Sequence, residues 1–171
     1  MTSFSNAFKE SCCFRISESQ RMIAKALNVL PSETLWVRPN DNSNSVGNQL
    51  LHLKGNVTQY ILSSLGNTPD QRQRDLEFET QGGQDVTTLW QALDDTLNAA
   101  KKVIKNCPEE RLLAIHSVQG FSLTGIDIAI HAVEHLSYHT GQIAFWVKQQ
   151  TQQPLGFYDG MDLNLKNQNK C

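Results

Sequence analysis

Three histidines, His131, His135 and His139, recur every fourth residue within IHAVEHLSYHTGQIAFW, residues 130–146, and the chain holds only five histidines. Residues four apart share one face of an α-helix, offset by roughly 40° per step, so the three form a ladder. Two imidazoles on consecutive turns can chelate one metal ion, the geometry of the zinc proteases with an H-E-x-x-H motif. Here leucine follows His135, so the glutamate base of that motif is missing and a protease of that type is excluded. The Glu-x-x-His pattern that di-iron bundles carry on two helices is also absent. What remains is a two-histidine chelate that needs at least one more ligand.

His52, set between Leu51 and Leu53 with Asn56 one turn later, is the leading third ligand, and His116 is a weaker one. Three neutral imidazoles leave a divalent ion its full charge and an open position, as in catalytic rather than structural sites. The plain alternative is that a histidine at the margin of an apolar stripe is a hydrogen-bonded core residue. An H-x-x-x-H pair need bind nothing, and spacing alone leaves both readings open.

The elements that must carry these residues read as helices. The first runs from about Ser5 to Leu30 and stops at Pro31; WVRPNDNSNS then reads as a loop. Asn44 or Ser45 can cap a second helix whose Val46, Leu50, Leu53, Val57, Tyr60 and Ile61 share one face, with Gly66 at its end. Residues 67–84 are polar, with turn chemistry at both ends, and read as a long irregular connection. A third helix starts near Asp85 or Thr87 and ends near Asn106, before Pro108. RLLAIHSVQGFSL fits a short strand pair or an extended loop, and a fourth helix covers about Gly125 to Gln149. The expected architecture is all-α, a four-helix bundle with long crossover connections, and the whole of residues 1–171 is expected to form one domain.

Composition narrows the function classes. With 15 basic and 17 acidic residues the formal charge is −2, which offers no footprint for nucleic acid. The amino terminus lacks the apolar core of a signal peptide, and no window reaches bilayer-spanning length. Cys12, Cys13, Cys107 and Cys171 contain no C-x-x-C pair, so neither a disulfide framework nor a cysteine zinc site is expected. A cytoplasmic protein that acts on a small molecule is the expectation, with neither nucleic acid nor membrane as partner.

SVGNQLLHLKGN, followed much later by HAVEHLSYHTGQI, resembles the DinB/YfiT-like superfamily of metal-dependent enzymes, and LWVRP resembles that family's tryptophan–proline loop. The match covers most of the chain. It implies a four-helix bundle, often a homodimer, with His52, His135 and His139 holding a divalent ion such as zinc or nickel. Family members commonly carry arginine before Gly-Gln, whereas Thr140 stands before Gly141 and Gln142 here, so no role of that arginine transfers. His131 has a counterpart in many relatives without being a usual ligand, and is expected to orient a ligand ring. Asn56 and Gln142 are candidates for the same task; Glu134 is read as a solvated surface residue.

By the same resemblance the expected activity is a thiol-dependent S-transfer, with a low-molecular-weight thiol held on the metal as the nucleophilic thiolate. A hydrolase using metal-bound hydroxide, or a bundle that binds a metal or small ligand without turnover, would use the same three histidines. No general acid or base is identified; Tyr60, Tyr138 and RDLEFE read as core packing or charged surface.

Overall fold

The computed structural model describes residues 3–167. Four long helical segments form the bundle: α1 (Phe4–Leu27), α2 (Val46–Val57) with a π-helical continuation (Thr58–Leu65), α4 (Val86–Asn106) and α6 (Gly125–Thr151). Between them lie two short helices, α3 (Arg74–Glu79) and α5 (Glu109–Leu113), and a hairpin of β1 (Ile115–Val118) and β2 (Phe121–Thr124). The all-α bundle expected from the sequence is what the chain forms.

Each long helix opens on a side-chain cap. Ser3 accepts from Asn6 N and Asp85 from Thr88 N, while Ser45 with Asn48 and Thr124 with Asp127 form reciprocal capping boxes. Such caps satisfy the orphan amides of a first turn, each worth about 1 kcal/mol. The long helices lie around one apolar cluster that includes Ile16, Ile23, Leu50, Leu53, Leu93, Leu97, Ile128 and Ile143.

Neighbouring pairs are α1 with α6, α1 with α4, α2 with α4, and α2 with α6. Side-chain pairings fix the directions. Gln20 bonds Asp94 and Asn98 while Lys101 bonds Ser17, so α1 and α4 are antiparallel. His52 meets His135 while Asn56 meets His131, so α2 and α6 are antiparallel as well. Trp36, which leads into α2, donates to the carbonyl of Gln84, which leads into α4. At the other end Gly66 adjoins Val103, so α2 and α4 run parallel. A parallel pair needs a crossover that travels back the length of the bundle, and residues 67–85 supply it.

That crossover is not irregular throughout, as the sequence suggests, because α3 folds within it. Asn48 Nδ2 donates to the carbonyls of Glu77 at 3.0 Å and Thr80 at 2.7 Å, and Arg38 donates to that of Phe78. These long-range bonds hold a helix of only six residues, too short to persist alone. Two other boundaries differ from expectation. The first helix ends at Leu27 rather than Leu30, and the second loses α-helical registration at Thr58.

The ambiguous segment before α6 is a strand pair, with Ile115 opposite Thr124 and Val118 opposite Phe121. Its two-residue turn places Gln119 and Gly120 at φ 51° and 82°, the positive values of a type I′ hairpin turn. Gln119 Oε1 accepts from the Tyr60 hydroxyl at 2.9 Å, which ties the turn to α2's continuation. Among the described residues no helix is long and apolar enough to cross a membrane. Cys12, Cys13 and Cys107 are buried free thiols, and Cys171 lies outside the described residues.

Candidate metal centre

His52 projects from the middle of α2, and His135 and His139 from the middle of α6, into the seam between these antiparallel helices. Ring centroids are 4.8 Å apart for His52 and His135, 5.1 Å for His52 and His139, and 4.6 Å for His135 and His139. One ring nitrogen from each lies within 4.8 Å of the other two. Nε2 of His52 and Nε2 of His135 face each other at 2.9 Å. His52 and His139 are 7% and 8% exposed, whereas His135 is only partly covered, so the cluster has a wet side.

A carboxylate fixes the orientation of His52. Glu77 Oε2 lies 2.9 Å from His52 Nδ1, and Arg72 grips the same carboxylate, Nε to Oε1 at 2.7 Å and Nη2 to Oε2 at 2.8 Å. Burial by itself pushes the Glu77 carboxyl up, but hydrogen bonds from Arg72 and His52 outweigh it and hold it below the usual carboxylate range. An ionised Glu77 accepts a proton-bearing Nδ1, which leaves the Nε2 lone pair of His52 turned towards His135. Arg72 is itself held by Gln59 Oε1 at 2.9 Å, and Gln59 donates to Asp70 at 2.8 Å. Gly55 lets this ion pair approach, since a Cβ there would run into the Glu77 carboxylate.

The α6 histidines are kept neutral. Burial, then the neighbouring imidazoles and Arg72, push His135 down to about 3. Burial and His52 push His139 down to about 4, partly opposed by Gln142. Neutral imidazole is the ligating form.

The donor set fits a divalent ion. Two nitrogens on one tetrahedral ion stand about 3.3 Å apart if each bond is ~2.0–2.1 Å, so the 2.9 Å gap need widen only by a few tenths. His139 Nδ1 is buried without a hydrogen-bond partner, an orphan that an ion or its water would satisfy. The three histidines could therefore hold a metal.

The remaining candidates separate cleanly. His131 stacks on Tyr60 with centroids 4.1 Å apart, and its Nε2 lies 3.3 Å from Asn56 Nδ2. It stands edge-on to His135 at 5.5 Å and outside the three-ring cluster. His116, within β1, bonds the Arg111 carbonyl at 2.8 Å and takes no part. Gln142 adjoins His139, and Glu134 is exposed.

Arg72 and Glu77 are what a reading of the sequence misses. RDLEFE looks like charged surface, yet Glu77 is 8% exposed. The available signal was Gly55 in mid-helix, three residues after His52, since glycine at such a place marks a close approach.

Comparison with known proteins agrees with the fold. Residues 3–155 match the family described as Protein of unknown function (DUF1572). Among solved structures, a DinB-like protein from Bacillus cereus superposes with a TM-score of 0.66 at 17% identity, covering 86% of this chain and 93% of that one. A DinB-like protein from Bacillus subtilis gives 0.66 at 14% identity, covering 86% and 97%. No curated protein matches the chain. The chain belongs to the DUF1572 family, and its fold is that of the DinB-like proteins.

Proposed function

We propose that His52, His135 and His139 hold one divalent ion, zinc or nickel, and that the protein is a metal-dependent enzyme transferring a low-molecular-weight thiol to an electrophilic small molecule. The observation that carries this reading is the meeting of His52 and His135 at 2.9 Å, Nε2 to Nε2, with His139 beside them. The ion would supply Lewis acidity that favours the thiolate form of the cosubstrate.

The chain's own residues do the positioning. Glu77 and Arg72 hold one ring from behind, and the burial of His139 shields one side. The partly covered His135 leaves an approach for substrate. Three neutral ligands leave the positive charge undiminished.

Thiol is favoured over water by the absence of a free base. Among the described residues Glu77 is the one carboxylate hydrogen-bonded to any of the three rings, and it is committed to His52 and Arg72. A thiol, with an ordinary pKa of about 8.5, gives up its proton near neutrality far more readily than water. The protein's own thiols do not fill this role, because Cys12, Cys13 and Cys107 are buried and burial pushes all three up.

The test offers a chlorinated aromatic electrophile together with each of several cellular thiols, with and without metal. Metal-dependent conjugate with one thiol is expected, abolished in His135→Ala. If every thiol fails while metal-dependent ester hydrolysis proceeds, S-transfer falls and the hydrolase stands.

A further inference from the structure

The outer side of α6 carries a second pattern. Glu134, Tyr138, Gly141, Phe145 and Lys148 follow one another at steps of four, three, four and three residues, and all five are exposed. Such steps keep residues on one stripe of a helix, the seam along which two helices interlock in a coiled coil. The outer stripe of a bundle helix is ordinarily polar. Here its middle is Tyr138 and Phe145, 65% and 61% exposed, on either side of Gly141. Glycine is unfavourable in mid-helix, and nothing in this chain requires it there, since a Cβ on Gly141 would meet no other atom.

The ends of the stripe are oppositely charged. Glu134 stands seven residues before Gly141 and Lys148 seven after it, and neither has an ion-pair partner among the described residues. A two-fold axis at Gly141 sets each residue before it beside the residue equally far after it on the other copy. An antiparallel copy therefore brings glutamate to lysine at both ends. A parallel copy would set like charge against like.

We propose that this stripe is the contact face for a second copy of the chain, α6 against α6, antiparallel about Gly141. The backbones approach at the two glycines, Tyr138 lies against Phe145 of the partner subunit, and Glu134 pairs with Lys148 of the partner subunit. Tyr138 also stands edge-on to His139, with ring centroids 5.1 Å apart, so the face borders the histidine cluster. None of it depends on a bound ion. The stripe is about 21 Å long at 1.5 Å per residue. A contact of that length falls at the small end of specific interfaces, under about 1,200 Å², and the affinity expected is micromolar.

The test is sedimentation equilibrium of the full chain from low micromolar to near-millimolar concentration. Reductant and chelator are present, so that neither a disulfide nor an ion can join two chains, and circular dichroism confirms that each variant is folded. A monomer–dimer equilibrium is expected. Glu134→Lys alone and Lys148→Glu alone should each weaken it at least tenfold, because like charges then meet at both ends. The two substitutions together should restore it to within about threefold of wild type. Gly141→Arg, which meets nothing in its own fold and sets two cations together on the axis, should leave a folded monomer. A wild-type monomer at every concentration overturns the proposal. So does a dimer that survives Gly141→Arg, a dimer indifferent to both single reversals, or a folded double variant that stays as weak as the single ones.

Discussion

Glu77 and His52 meet at 2.9 Å, Oε2 against Nδ1, with both side chains about nine-tenths hidden. The contact joins the crossover helix to the centre of α2 and decides which nitrogen of His52 is left to coordinate. Glutamine at position 77 keeps the size but loses the charge that fixes the ring. Glu77→Gln is predicted to weaken zinc binding about tenfold to a hundredfold, measured by competition with a chelator. In the metal-free protein, ¹⁵N shifts of His52 should report Nδ1–H in wild type and a mixture of tautomers in the variant. Unchanged tautomer and unchanged affinity together would remove Glu77 from the site.

The Arg72–Glu77 pair is buried, with side chains 3% and 9% exposed. Removing one partner leaves the other charge without compensation, which costs about 3–5 kcal/mol in such pairs. Arg72→Met should lose stability of that order in urea unfolding of the metal-free protein. A loss under about 1 kcal/mol, the scale of exposed pairs, would mean that solvent reaches the carboxylate.

Acid sensitivity follows from His135 and His139, whose pKa values fall from 6.5 to about 3 and about 4 in the fold. The unfolded chain takes up protons near pH 6.5 that the folded chain refuses. Stability of the metal-free protein is therefore full above that pH and is lost as pH falls towards 4 and below. The urea midpoint should drop between pH 7 and pH 5, and drop less in His139→Asn. A midpoint independent of pH over that interval would show the rings to be well solvated.

Burial pushes the Cys12 thiol up to about 11, and Cys13 and Cys107 are shifted in the same direction. In a Cys171→Ser background, these three thiols should resist a disulfide reagent at pH 8 and react promptly only in denaturant. Fast labelling of the native protein would reopen the question of where a nucleophilic thiol comes from.

The long helices could be read from the sequence because their apolar periodicity and their caps are local. Ser45 and Thr124 each sit one residue before the helix they cap. The histidine cluster was half legible. The His135–His139 spacing is a property of one helix, while the meeting with His52 depends on how α2 and α6 pair; the sequence offers His52 as the leading third ligand beside His116, and the resemblance selects it. Glu77 and Arg72 were hidden because nothing local distinguishes a buried acidic turn from a solvated one. The turn that carries Glu77 is held by Asn48, which bonds the carbonyls of Glu77 and of Thr80 just past α3, 29 and 32 residues away. The kinship of the hairpin turn with Tyr60 was beyond reach for the same reason.

Metal content per chain is the most direct test of the central claim. Purified protein, reconstituted with zinc or nickel and freed of excess ion, should carry close to one equivalent by elemental analysis. His52→Ala, His135→Ala and His139→Ala should each lose it, while His131→Phe, altered outside the cluster, should keep it. Negligible metal in reconstituted wild type, or full occupancy in His135→Ala, would contradict a metal centre built on these three rings.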